Sequence, residues 1–557
     1  MKKLILVIAA AMMLSAANVS AQLTTQRIVF DEEPSEYGYL AYKFVDENGN
    51  EIEPQYEESI SLFGLLPLDY RNEKLTPVKN QGTEGCCWAF AMVGAMEASL
   101  IQQGYATPDN IDLSEAHMAY FSINLRDSKY NDGDASVGTE AYSAGGNEYY
   151  ALAAMSKGSG AVSEELAPYE EYTGKNAKEV EEEKRFLSEA CISRLIQLNP
   201  KNSDDIKKAV MEYGGVLNTF YSDELGCYNP QTASYHYVGE ATQNHQTLIV
   251  GWDDNYSKEN FKEGQQPTSN GAWIVRNSWG EDWGKDGYFY MSYETTIKTA
   301  SAIVACPEKE YDNNYGYTGS ISILSFLGDY STSNIFTSKK DEILEAISIS
   351  AYEVDTVNIK INKGVQPDNP QTGETVLSMI YDMEGKYEKI ELSKPIQLTK
   401  GERYSIVVEG VNVNFEGPEA TEASRNTKYF SQDLTCNMGE SFICFAGDTA
   451  WYDASRVVTE NALKEVVRIG NAAIRAYTND NKPKVTALTK NNNIMATSKY
   501  NDNAQIYIAQ YDKNDVLIEV KKSTEASLRE NTAKYKVFSW DGKMHSTTET
   551  AFVKGVN

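Results

Sequence analysis

The chain has 557 residues, too many for one core, so two to four domains are expected. Its 41% hydrophobic and 11% aromatic content excludes a disordered chain. A formal net charge of −29 excludes the basic footprint of a nucleic-acid binder and argues against docking on anionic membrane; the plain reading is a soluble, aggregation-resistant surface.

Residues 1–21 read as a signal peptide, with Lys2 and Lys3 first, an apolar stretch over 4–14 and small residues Val19-Ser20-Ala21 before Gln22. No later stretch stays apolar for ~18 residues, so no transmembrane segment is expected. Residues 22–60 are polar and acidic, as in a short leader or pro-segment. Residues 61–305 mix an Ala/Met/Leu-rich helix over 88–102 with strands over 248–252, 273–277 and 288–293, which predicts an α+β unit. From 306 to 481 the texture becomes that of a β-sandwich, with strands at 346–351, 357–361 and 404–409. Lys482-Pro483-Lys484 marks another boundary, and 482–557 repeat the sandwich texture on a smaller scale, with strands at 505–510 and 534–540.

There are seven cysteines, so at least one thiol stays unbridged; Cys436 and Cys444 are spaced to close a short loop, but the connectivity is left open by the sequence. The adjacent pair Cys86-Cys87 follows the loop Gln81-Gly82-Thr83-Glu84-Gly85 and opens an apolar helix. A thiol in the first turn of a helix meets unpaired N–H groups and the positive dipole end, which stabilise a thiolate. That nucleophile needs a proton partner. His245 heads a buried strand, where its ring can face a cleft and exchange a proton with the thiol. Asn277 ends another strand, and its amide oxygen can hold the imidazole without titrating; Trp279 can cover that bond.

These residues resemble the papain family of cysteine peptidases. The resemblance rests on Pro77-Val78-Lys79-Asn80-Gln81-Gly82, on Gly85-Cys86-Cys87-Trp88-Ala89-Phe90, and on Asn277-Ser278-Trp279-Gly280 with Trp283-Gly284 and Gly287-Tyr288 after it. It covers roughly residues 64–295. It implies a two-lobed domain in which Cys87 is the nucleophile, chosen over Cys86 by its spacing from Gln81 and its Trp88 neighbour. It further implies that His245 is the base, that Asn277 orients it, and that Gln81 with the Cys87 N–H forms the oxyanion hole. Gly145 and Gly146 match the paired glycines that bind extended substrate, and Trp279 joins them at the binding site. Leu113-Ser114-Glu115 matches a structural helix start. With the turn Gly251-Trp252-Asp253-Asp254 and the segment from Tyr311-Asp312-Asn313 onward, the longer arrangement also resembles a bacterial group with a lectin-like β-domain behind the peptidase, and the last module, with Val537-Phe538-Ser539-Trp540-Asp541, resembles an immunoglobulin-like one.

The departures matter. The family usually has a cysteine where Glu84 stands and its disulfide partner where Ser143 stands, so one bridge is lost as a pair. Asp253 to Gly271 read as an inserted loop. The leader has no room for a long helical pro-region.

Other polar residues carry blander readings. His117 is structural, His236 and His545 are surface residues, and Glu181 to Glu183 are a solvated face. Asp132, Asp134 and Glu140 do not match a calcium loop. No metal or cofactor is expected.

The expectation is a secreted peptidase, periplasmic, cell-surface or extracellular, that acts on protein or peptide substrates through a thioester, more as an endopeptidase than an exopeptidase. One alternative is a surface glycan- or cell-wall-binding protein with a vestigial peptidase domain; another is a transpeptidase that passes the same thioester to an amine.

Overall fold

The computed structural model describes residues 25–31, 34–46, 49–53, 66–124, 138–307, 311–318, 323–326, 330–351, 355–416, 436–460, 466–482, 484–500, 504–540, 544–546 and 551–552. The signal-peptide residues 1–21, together with Asp132 and Asp134, lie outside them.

The Ala/Met/Leu-rich run forms a helix over Cys87–Gln102, and all but its last residue are buried. Such a helix must run through a core rather than over a surface. It packs with the helices Glu115–Ile123 and Glu148–Ser156 in one cluster that includes Trp88, Phe121, Tyr142 and Leu248. A second cluster gathers Trp252, Trp273, Phe220 and Phe289 from strands, with Ile206 and Val210 from the helix Ser203–Tyr213. That helix has one apolar face, an Asn202 cap that accepts the Asp205 N–H, and Gly214 in the left-handed conformation just past its end (φ 92°). The cleft lies where the two clusters meet.

The strand lobe runs antiparallel in the order Val216–Phe220, His245–Asp253, Ala272–Arg276, Tyr288–Ser292. These strands belong to a thirteen-stranded sheet that does not stop at the expected boundary near residue 306. It continues through Ile297–Pro307 and Ala190–Leu198, and passes to Tyr387–Leu398 by the pairs Tyr387↔Leu195 and Glu388↔Arg194. The β-sandwich behind the α+β unit therefore shares a sheet with it. The sandwich's other layer has six strands, among them Thr356–Lys363 and Arg403–Glu409, and Ile347, Ile359, Ile390, Tyr404 and Ile406 fill the space between. In the C-terminal module the expected strands lie at Gln505–Tyr511 and Lys534–Trp540, and two small sheets enclose Val485, Ile494, Ile508 and Val537.

Cys191 and Cys306, on neighbouring strands in register, form a disulfide. Cys436 and Cys444 are not joined to each other, contrary to the short-loop reading: Cys436 Sγ donates to Asn471 Oδ1 (3.3 Å). Among the described residues no helix is long and apolar enough to cross a membrane.

The segment expected to be a leader is not a featureless tail. Residues 25–53 contain three strands, β1 (Thr25–Phe30), β2 (Tyr42–Val45) and β3 (Glu51–Ile52), and β1 and β2 pair as an antiparallel hairpin. Its connecting segment enters the cleft.

Candidate active site

Cys87 is the first residue of its helix, and Cys86 is the cap residue, with no side-chain cap bond. The N–H groups of Trp88 and Gln246 hydrogen-bond toward the Cys87 sulfur. Cys86 Sγ is instead engaged by Tyr169 Oη (3.1 Å), whose proton can go to the Gln81 carbonyl (2.9 Å). The adjacent thiols thus have different surroundings, and Cys86 is tied into the wall.

His245 starts its strand opposite Phe220. Its Nε2 lies 2.8 Å from Asn277 Oδ1, while Nδ1 is buried and makes no hydrogen bond. A carbonyl oxygen can only accept, so Nε2 carries the hydrogen and the neutral ring keeps Nδ1 as its free base. Trp279 stacks on the imidazole at 4.8 Å with an interplanar angle of 18°.

Asn277 Oδ1 also accepts the Ser278 N–H (2.9 Å), and Ser278 Oγ donates to Gln81 Oε1 (2.6 Å). The Gln81 N–H in turn donates to the Ser278 carbonyl (2.8 Å). The segment just past the strand Ala272–Arg276 therefore fixes the Gln81 amide, and Nε2 donates to the Glu84 carbonyl (2.8 Å). Sequence reasoning did not single out Ser278, although it stands beside Asn277 in the same motif.

Beneath the helix, Lys79 Nζ lies within 3.1 Å of Glu97, 2.8 Å of Asp112 and 2.9 Å of Glu115. Burial pulls the Lys79 ammonium down, but Glu115, Glu97 and Asp112 outweigh it and hold it above its ordinary value. Burial pushes the Glu115 carboxyl up, against Lys79. The cluster ties the segment before Gln81 to the Cys87–Gln102 helix and to the Leu113-Ser114-Glu115 turn, where Ser114 Oγ caps its helix by accepting the His117 N–H (3.0 Å).

At the place of the lost disulfide, Ser143 Oγ donates to Glu84 Oε2 (2.8 Å) and the Gly174 N–H donates to Oε1 (3.1 Å). The two departures from the family pattern meet each other, and a hydrogen bond spans the gap.

The expected leader reaches these residues. The Tyr37 carbonyl accepts from the Cys87 N–H (3.2 Å) and from Gln81 Nε2 (3.2 Å). The Tyr37 ring lies 5.0 Å from His245 and 5.2 Å from Trp279. Gly146 donates to the Gly38 carbonyl (3.1 Å) and accepts from the Leu40 N–H (2.9 Å), which makes Tyr39 and Gly146 a parallel bridge. Gly38 sits at φ 84°, and a Cβ there would lie 1.7 Å from the Gly85 carbonyl carbon. A Cβ on Gly146 would strike the Trp88 ring at 2.5 Å. Gly145 lies against Pro34 of the leader.

Burial acts on both titrating groups. It pushes the Cys87 thiol up to about 12 and pulls the His245 imidazole down to about 4, with the Asn277 bond opposing the second shift. Both groups are neutral in this state.

The remaining histidines fall outside the site. His117 is buried against the Lys184 carbonyl (2.9 Å), and His236 is half-buried near Phe261. His545 lies in the strand Met544–Ser546 of the C-terminal module. Glu181 and Glu182 are more than a solvated face, since they pair with Lys184 and Arg185. Of the acidic trio only Glu140 is described, in the turn Gly138–Tyr142, so the calcium-loop question lies outside the described residues.

A thiol at the start of a buried helix, and an imidazole at the head of a strand held by an amide, are the marks of a papain-like protein. Residues 67–306 match the family model of papain family cysteine proteases, and residues 310–478 match that of lectin-like domains; the chain joins a domain of each kind. The chain is 29% identical over 251 residues to a cysteine protease of Blomia tropicalis, and 30% identical over 254 residues to cathepsin J of Rattus norvegicus. Each match covers 43% of this chain and 65% or 64% of the relative, so the chain spans about two thirds of the length of these relatives. Among solved structures, the protease and lectin-like domains of Cwp84, a surface layer associated protein of Clostridium difficile, superpose with a TM-score of 0.61 at 22% identity. That match covers 81% of this chain and 98% of the other. Cwp84 after propeptide cleavage gives a TM-score of 0.60 at 23% identity, over 74% and 99%. At these identities the likeness is one of fold.

Proposed function

We propose that the chain is a secreted cysteine endopeptidase, held latent by its leader, that hydrolyses peptide bonds through Cys87, His245 and Asn277. The observation that carries this reading is the Tyr37 carbonyl, held at once by the Cys87 N–H and Gln81 Nε2 beside the thiol. Two donors that converge on one peptide oxygen are the arrangement that stabilises an oxyanion.

With the leader gone, water reaches Cys87 and His245 and lifts the burial that holds both neutral. The thiol proton passes to His245 Nδ1. Sγ attacks the scissile carbonyl carbon, and the negative charge moves to the oxygen between Cys87 N–H and Gln81 Nε2. The intermediate collapses, the C–N bond breaks, and the imidazolium gives its proton to the leaving amine. Water, deprotonated by the same imidazole, then splits the thioester and releases the acid. Asn277 keeps the ring in register throughout, and Trp279 shields that bond. Gly146 supplies the backbone N–H and carbonyl that pair with an extended substrate, as they now pair with Gly38 and Leu40. The lectin-like domain adds a surface for glycan or cell-surface polymer. Residues 1–21 route the chain out of the cell.

The test is Cys87→Ala in leader-free protein, assayed on denatured protein substrates. Loss of cleavage with an unchanged unfolding midpoint is expected; undiminished cleavage sinks the assignment.

A further inference from the structure

The leader is gripped at two places, and only one is the cleft. At the other, β1 lies between two strands. Its one edge pairs with β2 through Arg27↔Val45 to Phe30↔Tyr42, and its other edge pairs antiparallel with the strand Ile323–Phe326 of the lectin-like domain. The register there is Thr25↔Phe326, Gln26↔Ser325 and Arg27↔Leu324. Beyond it Ile323–Phe326 pairs with Phe415–Glu416, so leader strands and lectin-like strands form one five-stranded sheet. Ile28 and Tyr42 of the hairpin also pack on Tyr149 of the helical lobe.

We propose that Ile323–Phe326 is a strand-docking edge of the lectin-like domain whose occupant is the leader, so that the domain behind the protease keeps it latent. A strand added to an edge is held by main-chain hydrogen bonds and not by a side-chain pocket. The segment from Phe30 to Tyr37 then acts as a short tether between two contacts. Once β1 is docked, the plug re-enters the cleft as an intramolecular event at an effective concentration of order millimolar. A cut between residues 53 and 66 severs the covalent link and leaves both contacts in place, so the cut leader leaves only when its strand peels from the lectin-like domain. The inference relies on the peptidase reading for its activity readout alone.

The experiment uses a synthetic peptide of residues 22–53 and leader-free protein carrying Cys87→Ala, with binding measured by calorimetry. Leu324→Pro and Ser325→Pro are made singly. Neighbouring N–H groups of a strand point to opposite edges, so one proline removes a bond toward β1 and the other a bond toward Phe415–Glu416. One of the two is expected to weaken the peptide at least tenfold, and the same variant in the uncut chain, with Cys87 intact, to raise hydrolysis of a short fluorogenic peptide at least tenfold. Less than a twofold change in both variants overturns the proposal. Hydrogen exchange on the unsubstituted chain needs no proline. Amides of 323–326 are expected to lose protection when the leader is removed, and unchanged protection overturns the proposal even where the prolines prevent folding. A leader-free parent that cleaves nothing breaks the peptidase reading instead, and leaves the binding and exchange results standing.

Discussion

The two donors in the cleft and the leader that occupies them meet at one carbonyl but are held there by different means. Cys87 N–H belongs to a helix buried along nearly its whole length, and Gln81 is pinned to Ser278 by a main-chain and a side-chain bond. Tyr37 sits in a segment that relies on backbone pairing with Gly146, on ring contacts, and on one glycine in the left-handed region. Close-packed interiors resist local change, whereas edge contacts open independently. The site should therefore outlast the leader, and changes on either side should separate catalysis from latency.

The largest effect is expected on the rigid side. Gln81→Ala in leader-free protein removes one of the two proposed oxyanion donors and should lower kcat by about 10²–10³. Steady-state assays check this, and a loss confined to KM would instead assign Gln81 to uniform substrate binding.

Gly38→Val tests the other side. The substitution puts a side chain at φ 84° and a Cβ against the Gly85 backbone, which cannot swing aside as a side chain would. Left-handed strain of about 1–2 kcal/mol and overpacking of about 1–3 kcal/mol combine to weaken leader docking by roughly 10²-fold, while leader-free activity stays put. An uncut Gly38→Val chain as silent as its parent would contradict the packing account.

Why was one side legible in the sequence and the other not? The roles proposed for Cys87, His245, Asn277 and Gln81 rest on side-chain chemistry or fixed spacing, so residue types point to them. The strand that His245 opens and the strand that ends just before Asn277 fell over the apolar runs that marked them, at His245–Asp253 and Ala272–Arg276. The plug is a backbone carbonyl, and every residue has one; nothing in the letters of Tyr37 marks it. Strand pairing at long separation, such as Arg27↔Leu324 or Tyr387↔Leu195, is likewise a property of the assembled sheet. Glu84 and Ser143 were visible as a missing disulfide, but their bond to each other is a property of the folded chain.

Tyr37→Ala removes the ring from His245 and Trp279 but keeps the carbonyl. Aromatic contacts worth about 0.5–1.5 kcal/mol each, beyond area, make the expected loss in leader affinity about tenfold. Titration with the 22–53 peptide reads it. A loss as large as that of Gly38→Val would mean that the ring, not the backbone path, carries the docking.

The smallest effect concerns pH. Glu164 Oε1 accepts the Tyr169 N–H (2.5 Å), Oε2 is buried without a partner, and Tyr169 Oη reaches the Gln81 carbonyl. Burial raises this carboxyl from 4.5 to about 7, against the Tyr169 bond. A folded-state value above the unfolded one means that the native chain keeps a proton the unfolded chain releases between pH 4.5 and 7. In that window stability falls as pH rises; below it and above it Glu164 adds no slope. Glu164→Gln removes the term, so the variant's Tm relative to the parent's should climb from pH 4.5 to 7 and stay level outside. Solvent reaches part of the group, which keeps the climb small. A Tm difference flat from pH 4 to 8 would show that Glu164 is solvated after all, and that the wall behind Gln81 is looser than its hydrogen bonds imply.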